Sequence, residues 1–141
     1  MKKTTSNISI GALVIVALVL SGCKSASAPA TKEIESHTAG DVVISLSNEK
    51  GELAQGQNTL VIAFRSASKS QPIDAGKVTL ESSMAMPGMA PMTAPIEIES
   101  AGQTGEYNVK GDFGMSGSWR FEVRWDGPAG QGSTSFNSNV R

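Results

Sequence analysis

The chain has 141 residues, so a single domain is expected, and its 12 Lys+Arg against 13 Asp+Glu leave a formal net charge of −1 at pH 7. No basic stripe or interleaving of basic and aromatic residues appears, which speaks against a nucleic-acid partner. One cysteine and one histidine in the whole chain give Cys/His and Ser/His/Asp nucleophile arrangements, and His/Cys zinc sites, nothing to work with. The protein is therefore not expected to be an enzyme.

At the front, Lys2 and Lys3 precede the uncharged apolar run Ile8–Leu20 ("ISIGALVIVALVL"). That run is short for a membrane span but fits a secretory h-region. It ends in "LSGC", Leu20–Cys23, small residues before a cysteine that resemble the lipobox of a bacterial lipoprotein signal peptide. The resemblance implies a signal peptide over residues 1–22 and a Cys23 that is diacylated on sulfur, palmitate being a usual chain, and often N-acylated. Such a lipid thioether consumes the chain's one thiol, and two or three acyl chains anchor a protein stably. Cleavage before Cys23 leaves 119 residues with 10 Lys+Arg and 13 Asp+Glu, a formal charge of −3. Without disulfides the domain must rest on its own core, which this length allows. Lys24 follows the cysteine in place of the Asp that commonly marks inner-membrane retention, so an outer-membrane position facing the periplasm is expected if the host is Gram-negative.

From Lys24 to about Thr38 the chain reads "KSASAPATKEIESHT", small and polar. Residues 23–39 are therefore expected to be the lipidated Cys and a flexible tether, reaching ~50 Å if fully extended. On that reading His37 is a solvated linker residue.

From residue 40 the pattern has period two. Val42, Ile44 and Leu46 alternate with polar or smaller residues, and Asn58–Phe64 ("NTLVIAF") suits a central strand buried on both sides. Val78, Leu80, Ser82 and Met84 share one parity, as do Ile96 and Ile98, then Tyr107 and Val109. Trp119, Phe121, Val123 and Trp125 alternate with Arg120, Glu122 and Arg124, and Ser133–Val140 makes a weaker last strand. Gly, Asn, Asp and Pro clusters separate the runs, and no amphipathic helical window competes. The expected fold over residues 40–141 is all-β, an immunoglobulin-like antiparallel β-sandwich of about seven strands. Trp119 and Trp125 are assigned to its core, and Glu97 and Glu99 to a solvated strand face.

Four of the six methionines fall in "SSMAMPGMAPMTAP", Ser82–Pro95. Met84 keeps the inward parity of Val78 and Leu80, as a core residue would. Met86, Met89 and Met92 lie among Pro87, Gly88, Pro91 and Pro95, which are turn residues, and exposing apolar side chains in a surface loop has a solvation cost. Thioethers are soft, uncharged ligands that select Cu(I) or Ag(I) and need no deprotonation. Three sulfurs at one turn would suit a trigonal cuprous site. Three other readings of the same residues stand beside the metal one, which leads: plain packing, an adaptable partner surface and a reversible sulfoxide site.

The succession "MAMPGM" (Met84–Met89), "GEYNV" (Gly105–Val109) and "FGMSGSWRFEV" (Phe113–Val123) resembles the YtkA-like domain, which is related to FixH-like domains, over about residues 40–138. The matching elements are Met86-Pro87-Gly88-Met89, Gly105-x-Tyr107 and Met115-x-Gly117-x-Trp119. The resemblance implies a small immunoglobulin-like sandwich in secreted, membrane-attached or lipid-anchored proteins, also found with periplasmic adaptor components of heavy-metal efflux pumps. The Met-rich turn is similar to the methionine loops of periplasmic copper carriers, although the domain offers no histidine to join the sulfurs. The expectation is a Cu(I)/Ag(I)-handling module that serves a metal-efflux system, with ligands Met86, Met89 and Met92, joined by Met84 and by Met115 if it lies near the hinge. The alternative is a non-metal interaction domain that docks onto an envelope complex through the same Met-Pro loop.

Overall fold

A computed structural model describes residues 31–141. The expected signal peptide, Cys23 and the first part of the tether lie outside the described residues. Nine strands follow in order: β1 (Lys32–Ala39), β2 (Val42–Asn48), β3 (Gly56–Ser66), β4 (Lys77–Met84), β5 (Met92–Thr93), β6 (Ile96–Ser100), β7 (Glu106–Phe113), β8 (Gly117–Gly127) and β9 (Gly130–Val140). They form a five-stranded sheet in the order β1-β2-β3-β7-β6 and a four-stranded sheet in the order β5-β4-β8-β9. Every strand pair is antiparallel. The all-β sandwich expected from the period-two pattern is the fold, with nine strands in place of about seven.

The core follows the alternation. Ile44, Leu46, Leu60, Ile62 and Val109 of the larger sheet meet Trp119, Phe121 and Val123 of the smaller one, all essentially without solvent contact. Apolar side chains at every second position give each sheet one buried face. A row of rings runs through this layer: Trp119 on Phe113 (centroids 5.3 Å apart), Phe113 on Phe121 (5.7 Å) and Phe121 on Phe136 (5.6 Å). β3 lies at the centre of its sheet as expected, but it is not buried on both sides. Leu60, Ile62 and Phe64 fill the core, whereas on the outer face Ala63 is covered, Val61 is half-buried, and Thr59 and Arg65 are exposed. A two-layer sandwich leaves the outer face of each sheet to solvent.

The two unforeseen strands are β1 and β5. β1 occupies the second half of the stretch expected to be tether, which corrects that boundary. Its composition is polar, but as an edge strand it needs only one half-buried face, and Ile34, His37 and Ala39 supply it against β2 and β9. His37 is therefore not a solvated linker residue. Its ring stacks on Phe136 at 4.6 Å and extends the aromatic row to the sandwich edge. The other edge is closed by chain crossing: β5 pairs with β4, and after Ala94–Pro95 the chain changes sheet so that β6 pairs with β7.

Strand polarity fixes which loops share an end. Gly56, which begins β3, pairs with Phe113, which ends β7. Gly117, which begins β8, pairs with Val140, which ends β9. Met84 ends β4 at this same end. β1 runs antiparallel to β2, and β2 to β3, so Lys32 also begins here, opposite Asn48. One end of the sandwich thus holds the Met-rich hairpin, the β7–β8 turn, the last residue Arg141 and the entry of the chain into the domain.

Candidate metal centre at the methionine end

Met84 and Met92 are direct cross-strand partners on β4 and β5. Opposed residues of an antiparallel pair project from the same face, here the inward one, and both side chains are half-buried against the core. The seven residues between them form the hairpin loop. At its tip the Met89 N–H donates to the Met86 carbonyl at 3.1 Å. Pro87 and Gly88 are the two central residues, and Gly88 has φ +76°. This is type II turn chemistry, in which the third position requires a positive φ. The tip carries Met86, half-buried, and Met89, 69% exposed.

The β7–β8 turn forms the floor. A Cβ at Gly117 would stand 2.9 Å from the Met84 sulfur, and one at Gly114 4.0 Å from the Met92 sulfur. Both thioethers therefore lie over the short turn that carries Met115 between the two glycines. The turn is held from both sides. The Trp119 indole N–H donates to the Met115 carbonyl at 3.0 Å, and the Gln55 amide donates to the Gly114 carbonyl at 2.9 Å. Trp119 is itself wholly buried, so the position of Met115 is tied to the core, while its own side chain is 42% exposed.

Of the five methionines expected to be ligands, the fold gathers Met84, Met92 and the backbone of Met115 at one place. Met86 and Met89 stand together on the hairpin tip above them. The sequence grouped Met92 with the tip; the structure pairs it with Met84. The two glycines and Gln55 escaped sequence reasoning, though the Met-x-Gly-x-Trp spacing already marked Gly117. Two residues behind Met84 on the same face, the buried Ser82 hydroxyl has no hydrogen-bond partner among the described residues. Among those residues there is no group of three His, Cys, Asp or Glu side chains able to hold a metal. The ligand chemistry gathered at this end is that of neutral sulfur, which binds soft cations without releasing protons.

The model of the YtkA-like family matches residues 36–124. The chain belongs to the YtkA-like family. Among curated proteins none matches it. Of solved structures, a DUF4426 family protein from Pseudomonas aeruginosa PAO1 is 15% identical, with 75% of this chain and 96% of that one covered and a TM-score of 0.52. PcoC, a methionine-rich copper resistance protein from Escherichia coli, is 11% identical over 64% of this chain and 88% of its own, with a TM-score of 0.43. A copper-bound variant of FetP from uropathogenic Escherichia coli strain F11 is 9% identical over 78% and 97%, with a TM-score of 0.44. The first of these likenesses is one of fold, and the other two are looser.

Two elements of the YtkA-like pattern have structural reasons in this chain. A Cβ at Gly105 (φ +74°) would meet the Ile73 and Phe64 carbonyl oxygens at 2.4 and 2.8 Å, so the backbones approach too closely there for any side chain. Tyr107 donates its hydroxyl to the Gly76 carbonyl at 2.9 Å, and burial, with Asp74 nearby, raises its pKa. These residues fasten the end of the sandwich opposite the methionines. Met115, Gly117 and Trp119 build the floor just described.

Proposed function

We propose that this YtkA-like protein is a lipid-anchored extracytoplasmic module that holds Cu(I) or Ag(I) through methionine sulfurs and serves a metal-efflux system. The observation that carries the reading is the placement of the Met84 and Met92 sulfurs on the turn that bears Met115, beneath a hairpin tip with two further thioethers. A cluster of soft, neutral donors without a titratable ligand suits a monovalent soft cation. The half-buried Met84–Met92 pair lends rigidity, and the tip residues Met86, half-buried, and Met89, exposed, suit capture and hand-over. The role includes no catalysis. Lipidation of Cys23 is part of the proposal and rests on the "LSGC" lipobox.

The test is an anaerobic titration of the domain with Cu(I) against a competing chelator. Met84→Leu and Met92→Leu, which nearly conserve volume, are expected to weaken binding at least tenfold each. The affinity of the unaltered domain should stay level between about pH 5 and 8, because thioethers release no proton. Binding no better than that of a domain with every hairpin Met replaced by Leu would sink the metal reading. The exposure of Met89 favours a second reading, docking of the same tip onto an envelope protein without metal. That reading requires capture of a partner in metal-free conditions, lost in Met89→Asp.

A further inference from the structure

The position of the chain's entry into the domain bears on what the hairpin faces. Residues 24–31 separate Cys23 from β1, because β1 has taken the rest of the expected tether into the sandwich. Fully extended, this leash spans about 30 Å at most. It reaches the domain at Lys32, at the methionine end. Laterally the leash and the hairpin stand on opposite sides of that end, at β1 and at β4–β5, roughly 20 Å apart at ~4.8 Å per strand. For the opposite end to lie on the bilayer, the leash would have to run back along β1, about 26 Å for its eight residues. That would use nearly its whole reach.

The surface turned towards the anchor is also unusual in composition. From Ser82 to Pro95 no residue is charged. Ala85, Pro87, Met89, Ala90 and Pro91 are all exposed. Of the charged groups at this end, Lys32, Glu49, Lys50, Glu52 and Arg141 belong to the β1 entry, the β2–β3 loop and the C-terminus, where Arg141 pairs with Glu52 at 3.1 Å. Asp112, whose N–H donates to the Pro95 carbonyl, and Arg120, opposite Ser83, flank the base of the hairpin, and the tip itself carries no charge. An uncharged tip with an exposed Met and two prolines enters the headgroup layer at little desolvation cost and gains from burying apolar surface there.

We infer that the methionine end of the domain faces the bilayer that holds the lipidated Cys23, and that the hairpin tip Met86–Pro91 contacts its phospholipid surface. The inference rests on the lipid-anchor reading and is independent of the metal. Its consequence is that the thioethers open towards the membrane plane, where a membrane-embedded donor or acceptor of soft cations would meet them.

The experiment uses the full-length lipidated chain, reconstituted without other proteins into phosphatidylethanolamine–phosphatidylglycerol vesicles containing a headgroup-nitroxide lipid. A polarity-sensitive fluorophore is placed at the tip through Met89→Cys, with Ala90→Cys as a second probe. Gln103→Cys, on the β6–β7 loop at the opposite end, is the reference. Emission at positions 89 and 90 should be blue-shifted and quenched at least twofold more than at 103. Equal quenching at the two ends, or stronger quenching at 103, would overturn the orientation. Intact mass is measured on the same preparations: a chain without acyl groups at Cys23 would overturn the anchor reading and this inference together, whereas an acylated chain with equal quenching would overturn the orientation alone.

Discussion

The sulfur of Met84 lies against Gly117, so close that a single methyl group at that glycine would stand 2.9 Å away. The contact joins the last residue of β4 to the first of β8 and makes the glycine part of the methionine centre. Gly117→Ala should turn the Met84 side chain aside and also strain a backbone held at φ +141°. The expected result is a loss of about 1–3 kcal/mol in urea unfolding, together with weaker Cu(I) binding. If stability and affinity were both unchanged, the turn would not be the floor of a site.

At the opposite end the prediction concerns structure alone. Tyr107→Phe removes one hydrogen bond to the Gly76 carbonyl and should cost about 1 kcal/mol. Gly105→Ala meets backbone atoms that cannot move aside, and should cost clearly more than Tyr107→Phe or prevent soluble expression. Both variants, where folded, should keep the Cu(I) affinity of the unaltered domain. A Gly105→Ala protein as stable as the original would contradict the close packing of Phe64 and Ile73 on that glycine.

Much of this architecture was legible because seven strands each bury one face, so that their apolar residues fall at every second position. β1 was not legible for the converse reason. As an edge strand it buries only Ile34, Ala39 and the ring of His37, and a run with so few apolar residues has the composition of a tether. β5 is two residues long, below the length at which alternation exists. The methionines were legible as a cluster in sequence but not as a geometry. Met92 lies nearer to the tip residues in the chain than to Met84, and only the register of β4 with β5 shows which sulfur it accompanies. The part played by Gly114 and Gly117 depends on their contacts with Met92 and Met84, residues far apart from them in the chain, which no local pattern carries.

The status of β1 is open to direct measurement. His37→Ala removes the stack on Phe136 and should lower stability by about 1 kcal/mol. A chain begun at Asp41, lacking the whole strand, should lose more and expose the β2 edge. Equal stability of chains begun at Thr31 and at Asp41 would return residues 32–39 to the status of tether.

Asp41 provides a pH signature. Its carboxylate accepts hydrogen bonds from the Ser66 hydroxyl, from the Ser68 N–H and from the Ser68 hydroxyl. Of these contacts the one with Ser66 does most to hold its pKa below the ordinary carboxylate value. A carboxyl whose folded pKa is depressed adds stability that is fully present above its unfolded pKa, near 4, and is lost as pH falls through the folded value. The stability of the domain should therefore decline below about pH 4 with a slope that Asp41→Asn reduces. An identical acid limb in the variant would show that the carboxylate does not anchor the Ser66–Ser70 turn.

The measurement closest to the central claim is X-ray absorption at the copper edge on the Cu(I)-loaded domain. We predict a first coordination shell made of sulfur alone, losing one scatterer in Met84→Leu and one in Met92→Leu. A shell containing nitrogen or oxygen in place of those sulfurs, or a spectrum unchanged in both variants, would contradict a methionine centre at this end of the sandwich.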